Sequence, residues 1–246
     1  MLNSYKMKIY LEAIQEIRAL VEQNEIRDKQ DIEQYLDRCS ELCPVAEGVY
    51  ATVYNLPDEP DKVVKVCPDK KDGYYLFARW CMTPENQSNP HLPVIHREDV
   101  ITLSCGMVVR VYVVERLSDF TDDGTRATQP QHFHDYDFGL LWSCFKAVMQ
   151  SFGMDNSDFP EKIKTLEVFI EKIKGSSSNL AKRADNDISD VVDDRVIESH
   201  QAFLETLFDV LTQLSTVGSM DLHGGNFMLR DDTVVITDPI AHQYMA

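Results

Sequence analysis

The chain lacks any apolar run near the ~18 to 20 residues that a bilayer-crossing helix needs, and its amino terminus has no secretory signal pattern. Its first segment, "MLNSYKMKIYLEAIQEIRALVEQ", is instead amphipathic, with Ile9, Ala13, Ile17 and Leu20 on one helical face. A cytosolic protein is the expectation. Cysteine is sparse and unclustered: six in 246 residues, with no CxxC pair. Without grouped histidines that argues against a zinc site and for free thiols in a reducing compartment. Basic residues are also short, 24 Lys and Arg against 41 Asp and Glu, for a net charge of −17. A general nucleic-acid binder needs the opposite sign to neutralise phosphates. The acidic excess keeps the chain soluble, or gives it a face for a basic partner such as a DNA-handling enzyme.

The chain contains enough apolar residues for a sizeable core in one two-lobed domain or two small ones. Residues 3–40 read as two helices, the second opened by Asp28 or Asp31. Between 42 and 66 the pattern turns to strands, "VYATVYNL" and "KVVKV" about the turn "PDEPD". "GYYLFARWCM" reads as a short helix, and "DVITLSC" and "MVVRVYVVERL" as an antiparallel pair around Gly106. Helices dominate residues 132–217 in "FGLLWSCFKAVMQSF", "PEKIKTLEVFIEKI" and "DDRVIESHQAFLETLFDVLTQL". The polar "KGSSSNLAKRADNDISD" reads as a loop or disordered insert. A hairpin closes the chain. Strands first and helices second predict a bilobal α+β protein, with a helical extension over 1–41, a strand-rich lobe over 42–117 and a reduced helical lobe over 118–246.

Four features of this order carry chemistry. "AEGVYATVY" sets Gly48 between two strands, where a backbone without a side chain lets a ligand approach. In the kinase pattern G-x-G-x-x-G-x-V only the middle glycine is present; Ala46 and Ala51 hold the other glycine places and Val53 the valine. An ordinary hairpin has the same letters. Lys65 follows within "KVVKV", either on an edge strand facing water or as an ammonium facing phosphate, since a lysine buried without a partner is costly. "DLHGGN" repeats the D-x-x-x-x-N spacing of a kinase catalytic loop with Asp221 and Asn226, and Asp238 ends the run "VVIT" where the D of D-F-G lies. Separately, aspartates in a hairpin are turn formers. Jointly, these residues suit phosphoryl transfer: Asp221 accepts the proton of the attacking hydroxyl, while Asn226 and Asp238 offer hard oxygen donors to magnesium. Gly224 and Gly225 permit the tight path that turns Asn226 back. In "VVERL" the backbone of Glu115 and Leu117 falls where a hinge would bind adenine.

Together, "EGVYATVYNLPDEPDKVVKV" and "DLHGGNFMLRDDTVVITDP" resemble the early serine/threonine protein kinase of short-tailed lytic, autographivirus-type bacteriophages. The resemblance covers residues 43–246. It implies a protein-kinase-like fold, ATP and Mg2+ as cofactors, and phosphorylation of host proteins early in infection, in the cytoplasm of the infected bacterium. Transcription and RNA-processing machinery, including RNA polymerase, are the implied partners. Larger members of that family carry a further region associated with shutting off host transcription, and that activity is not expected of these residues. Several departures stand out. Ser219 and Met220 replace the His-Arg before the catalytic Asp, Pro239 and Ile240 replace Phe-Gly, no A-P-E follows, and "GYYLFARWCM" holds no Glu for Lys65. Glu85 and Asp72 are the nearest substitutes. His223 gives D-x-H-x-x-N, which also occurs in small-molecule kinases of the aminoglycoside phosphotransferase type. The two alternatives are therefore such a phosphotransferase, and an acidic kinase-like protein that inhibits a host enzyme by binding.

Overall fold

A computed structural model describes residues 7–39, 42–47, 51–68, 73–119, 135–152, 159–183 and 192–243. The chain divides into two compact units. One comprises Met1–Gln87 with Pro93–Arg116, and the other Ser88–Leu92 with Leu117–Ala246.

The first unit is built on a five-stranded antiparallel sheet of order β1-β2-β3-β5-β4. Its strands are β1 (Pro44–Glu47), β2 (Thr52–Asn55), β3 (Lys62–Pro68), β4 (Ile95–Thr102) and β5 (Val108–Glu115). In β3, read from "KVVKV", successive side chains point to opposite faces. Val64 and Val66 join Tyr54, Val109, Val111 and Val113 beneath two helices, α1 (Lys8–Glu22) and α2 (Lys29–Arg38). The leading helices thus share one core with the sheet. On α1 the buried stripe is Tyr10, Ala13, Ile14 and Ile17, a rotation from the expected face that leaves Ile9 and Leu20 at its margin. Asp28 caps α2 by accepting from the Asp31 N–H at 2.9 Å, and Ile32 and Leu36 are buried. Burying each such side chain stabilises the unit by ~1.5–3 kcal/mol. Gly106 has φ of 80° in the turn from β4 to β5, a conformation that glycine adopts without strain.

A network between α1 and β4 ties the helices to the sheet. The Asp99 carboxylate, 4% exposed, accepts from Tyr10 Oη at 2.7 Å, Arg18 Nη2 at 2.9 Å, and Arg97 Nε and Nη2 at 2.5 and 3.1 Å. Burial works to raise its pKa. The hydrogen bonds from Arg97 and Tyr10 and the two guanidinium charges outweigh burial, and the carboxyl is held below its ordinary value.

The opposite face of the sheet is covered by α3 (Tyr74–Cys81), the short helix expected from "GYYLFARWCM", with Tyr74, Phe77, Ala78 and Cys81 buried. Lys65 lies on this side. Of the two alternatives for Lys65, the edge strand is excluded: β3 pairs with β2 on one flank and β5 on the other, and Lys65 is half-buried.

The second unit holds α4 (Tyr136–Phe152), α5 (Phe159–Lys162), α6 (Leu166–Arg183), α7 (Asp194–Ser199) and α8 (Gln201–Leu214). Two readings are corrected here. Residues 174–183 continue α6 rather than forming a loop, because the buried stripe Phe169, Ile173 and Ser177 keeps its i, i+4 spacing inward; residues 184–190 of that segment lie outside the described residues. Buried Ser177 also accepts the Val192 N–H at 2.8 Å. The segment from Asp194 is two helices, broken at His200.

The chain then forms β7 (Gly218–Met220), β8 (Phe227–Arg230), β9 (Thr233–Ile236) and β10 (Ile240–Gln243). β8 pairs with β9 and with the short β6 (Ser118–Asp119), and β7 pairs with β10. Phe227 is 1% exposed and packs on Trp142, Phe203 and Phe138 with ring centroids 4.7, 6.0 and 6.0 Å away. Among the described residues no helix is long and apolar enough to cross a membrane.

Candidate functional site

The expected site residues fall in two groups, one in each unit. In the second unit three of them are brought together. Met220 and Ile240 are cross-strand partners at the end of the β7–β10 ladder, so Asp221 leaves one strand where Pro239 enters the other. The Asp221 N–H donates to the Pro239 carbonyl at 2.7 Å, which sets Asp221 beside the residue following Asp238. Phe227 and Ile236 are partners at the start of the β8–β9 ladder. There the Thr237 N–H donates to the Asn226 carbonyl at 2.9 Å. Asn226 closes the circuit: its side-chain Nδ2 donates to the Asp221 carbonyl at 2.5 Å. Asp221, Asn226 and Asp238 thus occupy the junction of two two-stranded ladders, and the Phe227 anchor fixes the residue next to Asn226.

The path between Asp221 and Asn226 is a 3-10 turn, Gly224–Asn226. His223 precedes it, and its Nδ1 accepts the Gly225 N–H at 3.1 Å. An accepting Nδ1 in a neutral imidazole places the proton on Nε2, and Nε2 stands 3.6 Å from Asp221 Oδ2. Gly225 leaves room for this packing. A Cβ there would lie 3.0 Å from His223 Cε1 and 3.2 Å from Nδ1. His223 therefore locks the loop backbone, and it also faces the Asp221 carboxylate.

The chemistry of the donor set suits a hard cation. Asn226 spends its amide nitrogen on the Asp221 carbonyl, which turns its oxygen to the other side, and Asp238 Oδ1 is buried. Carboxylate and amide oxygens are the ligands magnesium takes. Among the described residues no group of three or more His, Cys, Asp or Glu is arranged to hold a metal.

In the first unit, Val53 and Lys65 are direct cross-strand partners. The row continues from Lys65 to Tyr112 on β5 and from Tyr112 to Glu98 on β4, so all four side chains point to the face that α3 covers. The Lys65 ammonium stands 3.4 Å from the centroid of the Tyr74 ring, and the Tyr74 ring meets Tyr112 edge-on at 5.2 Å. Tyr112 donates to Glu98 Oε1 at 3.1 Å, which also accepts from Arg110 Nη1 at 2.6 Å. Burial, then the Glu98 charge, pushes the Tyr112 hydroxyl above its ordinary pKa, so it remains a donor. The aromatic contact and the Glu98 network are not legible in the sequence, because they join residues of different elements.

Gly48 lies outside the described residues. Glu115 ends β5, where its N–H donates to the Val94 carbonyl at 3.0 Å and its Oε1 accepts the Val94 N–H at 2.7 Å. The Glu115 N–H is therefore committed within the sheet, and its carbonyl is the backbone group to consider for a ligand. Leu117, two residues on, begins the second stretch of the other unit and is half-buried. A cavity of about 430 Å³ lies elsewhere, between α1 and α2, lined by residues such as Glu16, Leu20, Ile26 and Tyr35. None of the expected site residues lines it.

Compared with known protein families, the chain matches no family model, and compared with curated proteins it matches none.

Proposed function

We propose that the chain is an ATP- and magnesium-dependent serine/threonine protein kinase with a bilobal, protein-kinase-like fold, of the phage type its motifs resemble. The observation that carries this reading is the gathering of Asp221, Asn226 and Asp238 by three hydrogen bonds at the β7–β10 and β8–β9 junction. Turn-forming aspartates need no such convergence. In the proposed roles Asp221 orients the acceptor hydroxyl and takes its proton, while Asn226 and Asp238 hold the cation. When bound, magnesium neutralises charge on the phosphates and orients them. Lys65 attracts the phosphates, Val53 beside it gives the nucleotide an apolar contact, Gly48 lets the backbone approach, and the backbone of Glu115 and Leu117 meets the base. The proposed acceptors are hydroxyl side chains of host proteins, among them transcription and RNA-processing components.

The direct test is transfer of labelled γ-phosphate from ATP to proteins of a bacterial lysate. Wild type should label protein in a magnesium-dependent way, and Asp221→Ala should lower the rate ~10²- to 10⁴-fold, the usual worth of a positioned base. Labelling by Asp221→Ala at the wild-type rate would remove the assignment. Labelling confined to small-molecule hydroxyls would favour the phosphotransferase alternative.

A further inference from the structure

We infer that His91 is a positioning residue for Asp238: its main-chain carbonyl and its ring together hold the outer edge of β9 just ahead of that carboxylate. This rests on the reading of Asp238 as a cation ligand. β9 is the edge strand of the β6-β8-β9 sheet, so its backbone groups facing away from β8 take partners from elsewhere. His91 supplies two of them, as a two-point clamp. Its carbonyl accepts the Ile236 N–H at 2.9 Å, and its Nδ1 lies 2.8 Å from the Val234 carbonyl oxygen. A carbonyl only accepts, so Nδ1 carries the proton and donates. Burial is the largest influence on the ring and lowers its pKa, which favours the neutral form with Nε2 bare.

Groups along a strand alternate in direction, so the hold extends to Asp238. The Ile236 N–H points out to His91, and the next N–H, that of Thr237, points in to the Asn226 carbonyl at 2.9 Å. The chain is thereby held from both sides over the two residues that deliver Asp238. His91 is itself fixed. One guanidinium, that of Arg230 on β8, donates from Nη1 to the Pro90 carbonyl and from Nη2 to the Leu92 carbonyl, each at 2.8 Å. Asn89 Oδ1 accepts the His91 N–H at 2.9 Å, and Asn89 Nδ2 donates to Thr206 Oγ1 on α8 at 2.9 Å. The Phe203 ring of the same helix meets the imidazole edge-on at 5.6 Å. Any residue at position 91 offers the carbonyl. The ring bond to Val234 is what histidine adds.

Two variants separate this role from packing. In His91→Asn the amide nitrogen falls where Nδ1 stands, whereas in His91→Gln it falls where Nε2 stands. Asn therefore keeps the donor to Val234 and Gln loses it. The first readouts use no nucleotide. A long-range proton–nitrogen spectrum of wild type should show His91 with a protonated Nδ1 and a bare Nε2. Amide exchange at Ile236 and Thr237 should be ~3- to 10-fold faster in His91→Gln, the worth of one neutral hydrogen bond, and within about twofold of wild type in His91→Asn. The second readout is manganese binding in the presence of ATP, with Asp238→Asn setting the value for a lost ligand. Affinity should fall by the same factor in His91→Gln and recover in His91→Asn. The opposite tautomer in wild type, or equal exchange in all three proteins, would overturn the clamp; the tautomer decides this even if His91→Gln does not fold. Faster exchange with unchanged manganese affinity in folded His91→Gln would overturn the positioning role. So would equal losses in the two variants, which packing alone explains. A wild-type protein that binds no manganese but shows the expected tautomer and exchange would leave the clamp standing, overturning the positioning role together with the kinase reading.

Discussion

Replacing Asp99 by Asn keeps the side chain's volume and removes one buried negative charge. Asp99 is 4% exposed and takes hydrogen bonds from three side chains. Tyr10 is 1% exposed, so its bond to a carboxylate is a buried, charge-assisted one, worth ~1.5–3 kcal/mol. With Asn as acceptor about half of that remains. Arg97 and Arg18 are 38% and 48% exposed, so water takes over much of their solvation, and each loses no more than the ~0–1 kcal/mol of a surface pair. The Asn amide also points N–H donors towards guanidinium N–H groups, which adds a smaller repulsion. The total is a loss of about 1–3.5 kcal/mol, or ~2–14 °C in Tm for a chain of this size. The pH dependence follows from the sign of the shift. Because the folded Asp99 pKa is depressed, its stabilisation is fully present above the unfolded carboxyl value near ~4. It is lost as pH falls through the folded value. Thermal melts followed by circular dichroism at pH 7 and at successively lower pH should show the gap between wild type and Asp99→Asn closing in acid. A gap under ~0.5 kcal/mol at pH 7, the size of an ordinary surface change, would refute the reasoning. So would a gap that does not narrow with acid.

Gly225→Ala should leave the melting temperature within a few degrees of wild type and lower phosphoryl transfer by less than the ~10²-fold cost of a misplacement of about 1 Å, because the His223 ring has to give by only a few tenths of an ångström. Its Cβ would displace His223 from Asp221; steady-state rates beside a thermal melt check both halves. Thiol labelling of the native protein should divide the cysteines. Exposed Cys43 and Cys105 react quickly, whereas Cys67, Cys81 and Cys144 are buried and wait for unfolding. Burial pushes the Cys81 thiol well up and the Cys144 thiol up to about 11, which lowers their thiolate fraction further. Rapid labelling of Cys81 or Cys144, located by mass spectrometry, would contradict the core as described.

Local patterns were legible and longer-range ones were not. The β-branched run around Lys65, the turn before it and the glycine between β4 and β5 are signals carried within a few residues, and each marked its element correctly. Whether β3 lies at an edge or at the centre depends on β5, some 45 residues further on, and no local pattern encodes that. The same holds for α1, whose stripe was visible while the surface beneath it, formed by Val64, Val66 and Val111, was not. Ser177 was misread because serine counts as polar, yet inside a helix it satisfies its hydroxyl and occupies a core position. At the site, the spacing of Asp221 and Asn226 named the residues. The bonds that bring them to Asp238 run through backbone groups whose partners come from ladder register. The contact of Tyr74 with Lys65 joins a helix to a strand, and no local pattern encodes it.

The central claim is that Asn226 and Asp238 hold a divalent cation on a bound nucleotide, with Asp221 serving the acceptor instead. Manganese accepts the same oxygen donors as magnesium and is visible by electron paramagnetic resonance. In the presence of ATP, wild type and Asp221→Asn should each immobilise one manganese ion per chain, while Asn226→Ala and Asp238→Asn should bind it at least tenfold more weakly. Equal manganese binding by wild type and Asp238→Asn would contradict the account.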